Sequence, residues 1–514
     1  MSATRQRHAT VRFLWSFAPH AALLICFSFV WAEASFNRRW FTTSDPDATY
    51  AVSAVAIAAW DGVPKYVDHP GYPTQYAIAA CLRASGFRLD HARPNALAEM
   101  PERMVDLIIF PRAVGFAMWM AAALGVIAAG QMATGSSFGA FLALCGFLGL
   151  QFFGQSFNCH PDVPCMGIIA VGTALQAFGL KNGSARAFAA GCGILGFGAG
   201  MKIPIAIAIF PGLLWAAQRN WGMAKERIDG KKSIPFPSFL FFGLIAAVVG
   251  AGISLAPFWL ESSQFDAFCE FLRRSRLRPP LPGRQSAILL LAGLLTLPFL
   301  PVAWKLRNRM SDPFVGLFFL SGVVNWAVPA LSGLVELSYF RFSWMLFCIP
   351  AALSLATYAS SEHRRRLAPP IISAVLVLAL LTNAIRRVEY LRSLESAIAQ
   401  SVADMDAINP QHLPVLRTWT TRDRMTAWNI HAHLYWPDLP PLFDALADEN
   451  AHPGFFVMAQ SDLEFPGRWG LQVNVLKDVA RRSALVRAYP AAGDSVLVYR
   501  IAPELTSILE EHPY

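Results

Sequence analysis

The sequence is poor in charged residues for a chain of its length. Of 514 residues, only 15% are Asp, Glu, Lys or Arg, whereas 55% are hydrophobic. A soluble domain normally carries about a quarter charged residues, so this chain lacks the polar shell that a large water-soluble core requires. The mean hydropathy of +0.40 agrees. The composition therefore excludes an ordinary soluble domain and predicts an integral membrane protein.

The eight cysteines do not follow any metal-binding pattern. No CxxC pair occurs, and no Cys/His spacing of the zinc type is present. Most of the cysteines lie in or beside apolar runs, where Cys behaves as a small hydrophobic residue. None follows Cys348. The C-terminal part must therefore fold without disulfides.

Long apolar runs are abundant. About 20 apolar residues cross a bilayer as a helix, and we predict about eleven such helices. The first follows a basic N-terminus and is too long for a cleaved signal peptide. The predicted spans are Val11–Ala32, Val105–Ala129, Phe138–Gly154, Val163–Leu180, Ala185–Gly200, Ile203–Ala217, Ile234–Phe258, Ser286–Trp304, Pro313–Leu331, Phe340–Tyr358 and Pro369–Ile385.

The net charge of +9 is concentrated in loops that fall on one side of these spans. By the positive-inside rule that side is cytoplasmic, which explains the charge without nucleic-acid binding. The basic loops are the N-terminus, Lys181–Arg186, Arg219–Lys232, Lys305–Arg309 and His363–Arg366. The loop Phe271–Arg284 breaks the rule, since its arginines fall on the opposite side, and it therefore invites a functional interpretation.

Two domains are predicted: a transmembrane domain over residues 1–387 and a small α/β domain over residues 388–514. Alternating runs at Gly454–Ala459 and Ser495–Ile501 predict strands, and Leu471–Arg482 predicts an amphipathic helix. The first external loop, residues 34–104, is long enough to be functional. Its segments Ala48–Trp60 and Thr74–Ser85 predict helices that lie along the membrane surface.

Polar clusters at the external helix ends are the candidate functional residues. An isolated acid there can simply cap a helix, and Pro-Gly can simply form a turn, but all of these clusters fall on one side. Together they offer carboxylates to take a proton from an acceptor and cations to stabilise a leaving phosphate. The clusters are Ser44–Asp47, Asp68–Gly71, His160–Asp162, Lys202, the arginines near Arg273, and Glu336 with Tyr339 and Arg341.

The order of these motifs resembles the GT-C superfamily of membrane glycosyltransferases, of the protein mannosyltransferase and aminoarabinose transferase type. The resemblance covers roughly residues 1–385. One departure is Gly71, which stands where the family has a second proline. Another is Pro46, which separates two acids that are often adjacent. The matching motifs are Asp45-Pro46-Asp47-Ala48-Thr49-Tyr50, Asp68-His69-Pro70-Gly71, Pro111-Arg112, Pro161-Asp162-Val163-Pro164, Gly198-Ala199-Gly200-Met201-Lys202 and Tyr339-Phe340-Arg341.

The resemblance implies an inverting transfer of sugar from a polyprenyl-phosphate donor to a glycolipid, polysaccharide or protein acceptor. It places the reaction on the periplasmic side of a bacterial inner membrane, with the N-terminus cytoplasmic and the C-terminal domain periplasmic. Either Asp45 or Asp47 would be the general base. The donor phosphate would be held by His69, Lys202, Arg273, Arg274, Arg276 and Arg278. Supporting residues would be Tyr50, Asp68, Arg112, His160, Asp162, Glu336, Tyr339 and Arg341.

No cofactor is required under this hypothesis, although a divalent metal held by Asp45, Asp47 and Asp162 stays open. Two carboxylates alone hold Mg²⁺ poorly, because that ion takes about six oxygen ligands. One alternative function is a transporter or flippase for a lipid-linked saccharide. Transporters often have paired internal repeats and charges at the middle of the membrane, and the sequence has neither a visible repeat nor a pair of acids within a span. Another is a non-catalytic assembly protein with a GT-C fold.

Overall fold

The computed structural model describes most of the chain. The described residues are 3–36, 47–60, 71–89, 99–151, 161–202, 204–226, 237–260, 265–266, 269, 282–332, 337–359, 368–413, 415–417, 454–464 and 473–501.

Each of the eleven predicted spans coincides with helix over the residues that the structure describes. Seven helices in the described ranges are long and apolar enough to cross a membrane, and four shorter apolar helices coincide with the other predicted spans. The chain is thus a multi-pass membrane protein. The helices up to the last span are α1 (Ala3–Ser35), α2 (Asp47–Trp60), α3 (Tyr72–Ala84), α4 (Met100–Leu107), α5 (Ile109–Thr134), α6 (Ser137–Leu150), α7 (Asp162–Asn182), α8 (Ala185–Gly198), α9 (Pro204–Ile207), α10 (Ile209–Glu226), α11 (Pro237–Ser254), α12 (Ala256–Leu260), α13 (Pro282–Thr296), α14 (Leu300–Leu306), α15 (Pro313–Ser332), α16 (Leu337–Ala359) and α17 (Ala368–Ala403).

Close helix packing in the membrane domain depends on glycine. Helices α8 and α11 approach so closely that a Cβ on Gly250 would lie 2.2 Å from the carbonyl oxygen of Gly193. Only a residue without a side chain fits at that distance, and small residues let membrane helices approach in this way. Phe141, Phe147 and Phe188 are fully buried in the core between neighbouring helices.

The two sets of predicted loops occupy opposite ends of the helices. At one end, the Lys181 ammonium at the end of α7 lies 3.1 Å from the Asp312 carboxylate, just before α15. At the other end, Asp162 at the start of α7 contacts Arg341 near the start of α16. Helices α15 and α16 therefore run in opposite directions, and α16 begins at the same end as α7.

The first external loop forms a small core of its own. Helices α2 and α3 lie where the sequence predicts them, but α2 has no exposed face: Tyr50 to Ala58 are all buried. The expectation that it rests on the membrane surface is therefore wrong. Its Ala and Val side chains are small enough for neighbouring segments to cover every side of the helix, including Met100 and Met104 of α4.

The C-terminal part is the predicted α/β domain. It contains β1 (Val415–Arg417), β2 (Phe455–Ala459), β3 (Ala484–Ala491) and β4 (Asp494–Arg500), with α18 (Met405–Ile408), α19 (Gln460–Glu464) and α20 (Val473–Arg482). The strand order is β1-β2-β4-β3, in which β1 and β2 are parallel and the other pairs antiparallel.

Helix α17 connects the two parts without a break. The predicted boundary after residue 387 falls inside this 36-residue helix. Its Leu394, Ala397 and Ile398 pack on one face of the sheet, while Val479 of α20 covers the other face. The central strands β2 and β4 are therefore covered on both sides, whereas most of β3 is exposed.

Candidate active site

The centre of the site is Asp162, whose carboxylate forms ion pairs with two cations. One oxygen pairs with the Lys202 ammonium and the other with the Arg341 guanidinium. All three residues are at most 3% exposed. A buried charge is costly unless it is paired and hydrogen-bonded, so each cation depends on this carboxylate. We call Asp162, Lys202 and Arg341 the buried triad.

Local structure explains how three distant residues meet. Asp162 begins α7 after Pro161, in the first turn, where a carboxylate is favoured by the helix dipole. Lys202 follows the glycine-rich end of α8, and its backbone N–H donates to the Gly198 carbonyl at 2.8 Å. Arg341 lies in the second turn of α16. All three helix ends lie at the same end of the helix assembly.

Aromatic rings surround the Lys202 side chain. Its ammonium lies 4.7 Å from the centroid of the Tyr339 ring and 5.8 Å from that of Phe342. Both distances are within cation–π range. The rings therefore hold the ammonium in place without neutralising its charge. The Tyr339-Phe340-Arg341 motif predicted Tyr339, whereas Phe342, one residue beyond it, was not predicted.

The first external loop binds to the backbone beside the triad. The Gly71 N–H donates to the Met201 carbonyl at 3.3 Å, and the Tyr72 N–H donates to the Gly200 carbonyl at 3.1 Å. The end of the Asp68–Gly71 motif is thus fixed next to Lys202. Sequence reasoning missed this contact, because backbone-to-backbone bonds leave no trace in the side chains.

The backbone conformation at position 71 explains why glycine and not proline stands there. Its φ is +47°, a value closed to proline, whose ring fixes φ near −65°. A Cβ at this position would also lie 2.5 Å from the Tyr50 ring. Tyr50 is fully buried. The departure from the family motif at Gly71 therefore accompanies a tight contact between Tyr50 and the turn that precedes α3.

Other predicted residues have different positions. Arg112 is buried on α5 and donates to the Phe36 carbonyl at 3.5 Å, at the end of α1. Asp47 is the first residue of α2, but its side chain lies outside the described part. The remaining predictions also lie outside the described residues: Asp45, Asp68, His69, His160, Arg273, Arg274, Arg276, Arg278 and Glu336.

Of the three suggested metal ligands, only Asp162 has a described side chain, and it forms two ion pairs. Both of its oxygens already face a cation, and a metal ion would have to displace Lys202 or Arg341. Within the ranges that the structure describes, no group of three His, Cys, Asp or Glu side chains is arranged to hold a metal. The triad is therefore an ion-pair cluster.

Comparison with known proteins reveals a shared fold. No model of a protein family matches the chain, and no curated protein matches its sequence. The structure is similar to that of ArnT from Cupriavidus metallidurans, crystallised with undecaprenyl phosphate. The TM-score is 0.52 at 14% identity, covering 96% of this chain and 98% of ArnT.

An oligosaccharyltransferase from Archaeoglobus fulgidus, in complex with zinc and sulfate, superposes with a TM-score of 0.40. The identity is 12%, covering 86% of this chain and 68% of the archaeal protein. The match to ArnT over nearly the whole of both chains agrees with the order of motifs in the sequence. The chain therefore has a GT-C-like glycosyltransferase fold.

Proposed function

We propose that this protein is a glycosyltransferase that takes its sugar from a polyprenyl-phosphate donor. The acceptor would be a glycolipid, a polysaccharide or a protein, reached at the periplasmic face of a bacterial inner membrane. The ArnT structure that shares this fold contains undecaprenyl phosphate. That ligand belongs to ArnT, and it supports a polyprenyl-phosphate donor here by analogy of fold.

The buried triad is the observation that carries the proposal. Its three side chains sum to one net positive charge, since Asp162 balances only one of Lys202 and Arg341. Two cations that are held by one carboxylate, with little access to water, also attract an anionic ligand. A lipid-linked phosphate supplies such an anion. Its charge also grows as the glycosidic bond breaks, so that preorganised cations stabilise the transition state.

Each residue has a proposed role. Lys202 binds the departing phosphate, assisted by His69 and by the arginines at 273, 274, 276 and 278. Asp162 orients Lys202 and Arg341 and does not act as a base, because both of its oxygens are engaged. The general base is Asp47 or Asp45, which takes the proton of the acceptor hydroxyl.

The fixed position of the first loop supports this arrangement. Gly71 and Tyr72 are bonded to Gly200 and Met201, so the acidic motif before α2 and the motif before α3 belong to a loop that is anchored beside Lys202. A base and a phosphate-binding cation must lie within the length of one sugar phosphate.

A transfer assay tests the proposal. Purified protein is incubated with radiolabelled polyprenyl-phosphate sugars and membrane glycolipid acceptors. Replacing Lys202 by Met should lower kcat/KM by about a hundredfold or more, as removal of one transition-state donor does in other enzymes. Replacing Asp47 or Asp45 by Asn should identify the base.

The matched control is Lys181→Met, which removes an ammonium at the other end of α7, where it is half exposed. Its activity should equal that of the wild type. If no donor supports transfer, or if Lys202→Met and both Asn variants are as active as the wild type while correctly folded, the catalytic proposal is wrong.

A further inference from the structure

Three cations project from the end of the α13–α14 segment, far from the triad. Lys305 lies at the end of α14, and Arg307 and Arg309 lie in the following 3-10 turn, Arg307–Arg309. All three are exposed. The Lys305 ammonium lies 5.0 Å from the centroid of the Tyr358 ring at the end of α16. Tyr339 contacts Lys202 at the start of the same helix, about 29 Å away along its axis.

Among the described residues at this end, positive charge exceeds negative charge. Asp312 is the nearby carboxylate, 3.9 Å from Arg309 and 3.1 Å from Lys181. Neither Lys305 nor Arg307 contacts a carboxylate of any residue that the structure describes. With Lys181 included, four of the cations that the structure describes here face one anion, so these five side chains carry a net charge of +3.

Arg307 is held in a fixed position over an aromatic ring. Its guanidinium carbon lies 4.2 Å from the centroid of the Trp304 ring, and Nη1 donates to the Trp304 carbonyl at 3.0 Å. Trp304 is itself 70% exposed. Exposed Trp beside Lys and Arg is typical of the level at which lipid headgroups lie.

An apolar stripe leads down the helix to these cations. Leu290, Leu294, Leu297, Leu300 and Trp304 follow one another at intervals of three or four residues, and each is more than half exposed. Such spacing places them on one face of the segment. Only 6% of the apolar window in this span is buried, so the stripe faces the acyl chains of the bilayer.

We propose that Lys305, Arg307 and Arg309 form a binding site for an anionic phospholipid. The phosphate of the headgroup would lie between the three cations, and an acyl chain would lie along the leucine stripe. Clusters of Lys and Arg at a membrane surface attract acidic lipids in this way. The Trp304 ring and the stripe favour a diacyl lipid over free phosphate, because free phosphate has no apolar part to bury.

Native mass spectrometry of the full chain in detergent tests the site. The probes are phosphatidylglycerol, phosphatidylcholine with the same acyl chains, and inorganic phosphate. The wild type should retain phosphatidylglycerol in preference to phosphatidylcholine. In the triple variant Lys305→Gln, Arg307→Gln, Arg309→Gln, the affinity for phosphatidylglycerol should fall about a hundredfold, or about fivefold for each charge removed.

The control is Arg386→Gln, which removes one exposed guanidinium from α17 at the opposite end of the spans, and it should bind as the wild type does. Melting temperatures verify folding, and exposed substitutions should leave them unchanged. Equal binding of the two lipids, equal binding by the triple variant, or displacement of phosphatidylglycerol by equimolar inorganic phosphate would each overturn the assignment. Because Lys305 is remote from Lys202, transfer activity does not enter this test.

Discussion

Arg341 and Asp162 form a buried ion pair although 179 residues separate them in the chain. The pair joins the start of α7 to the start of α16, and Lys202 binds the same carboxylate from the end of α8. One acidic side chain thus connects three membrane helices. Several measurable consequences depend on this shared carboxylate and on the contacts around it.

Removal of Asp162 should cost more stability than removal of either cation. Asp162→Asn leaves both Lys202 and Arg341 without their carboxylate, and breaking a buried ion pair costs about 3–5 kcal/mol. Lys202→Met leaves Asp162 paired with Arg341, so its cost should be smaller. Thermal melting in detergent compares the variants. Equal melting temperatures for Asp162→Asn and the wild type would contradict the shared pairing.

Gly71→Ala should destabilise the first external loop. The backbone at Gly71 is left-handed, which costs an alanine about 1–2 kcal/mol, and the new methyl group would collide with the Tyr50 ring. Gly86→Ala is the matched control, because Gly86 also has positive φ but has no atom within 4 Å of its would-be Cβ. Hydrogen exchange of α2 and α3 should increase more in Gly71→Ala than in Gly86→Ala, because both variants bear the left-handed strain and only Gly71→Ala adds the collision with Tyr50.

Two glycines of α11 should respond in opposite ways to the same substitution. Gly250→Ala forces a methyl group against the Gly193 carbonyl, and such overpacking costs about 1–3 kcal/mol. At Gly252 nothing lies within 4 Å, so alanine should gain up to about 1 kcal/mol from helix propensity. The melting temperature should fall for the first variant only. A fall of equal size for both would mean that α8 and α11 do not pack as described.

The C-terminal domain should lose stability at alkaline pH. Burial raises the pKa of Tyr489 above its ordinary value of 10.0, and its hydroxyl donates to the Asp404 carboxylate at 3.1 Å, which raises the pKa further. The folded state holds this proton more tightly than the unfolded state. The protonated Tyr489 hydroxyl therefore contributes its full stabilisation of the folded state below pH 10. This contribution is lost as the pH rises through the pKa of Tyr489 in the folded state.

Hydrogen exchange of β3 and β4 between about pH 9 and 11 measures this loss, after correction for the intrinsic exchange rate. Tyr489→Phe should lower stability by about 1–2 kcal/mol at neutral pH, since a hydrogen bond to a charged group is removed. The same variant should show a shallower alkaline decline. An identical decline in the variant would assign the effect to another group.

Accessibility labelling should place the first external loop and the basic loops on opposite sides. In a Cys81→Ser, Cys269→Ser background, which removes the two exposed cysteines among those that the structure describes, Arg88→Cys should react with an impermeant maleimide in intact spheroplasts. Lys181→Cys should react only after the membrane is opened. The reverse pattern would put the triad on the cytoplasmic side and remove the basis for a periplasmic reaction.

Much of the membrane domain could be predicted because its patterns are local. Apolar runs mark the helices, and the side on which each loop falls follows from counting them. Asp162, Lys202, Tyr339 and Arg341 were predicted because polar residues at membrane helix ends are costly and therefore conspicuous. Their common location follows from the alternation of helix direction.

What could not be predicted depends on contacts between distant backbone segments. The burial of α2 requires knowledge of which segments cover it, and the bond between Gly71 and Met201 involves no side chain. The extension of α17 to Ala403 was also missed. Hydropathy falls after Ile385, yet Leu394, Ala397 and Ile398 continue a helical stripe that the sheet covers. Loss of hydropathy marked the end of the span and not the end of the helix.

Helix α17 has a mechanical consequence. Thirty-six residues in one helix extend about 54 Å; the helix begins with the apolar span, and its last third packs on the sheet. Because the helix is continuous, its two halves move together. A change in the tilt of its membrane half would therefore also displace the sheet that packs on its other half. A cut after residue 387 would divide this continuous helix but leave Leu394, Ala397 and Ile398 with the sheet that they cover. The fragment after residue 387 would therefore keep the helical cover of one face of its sheet.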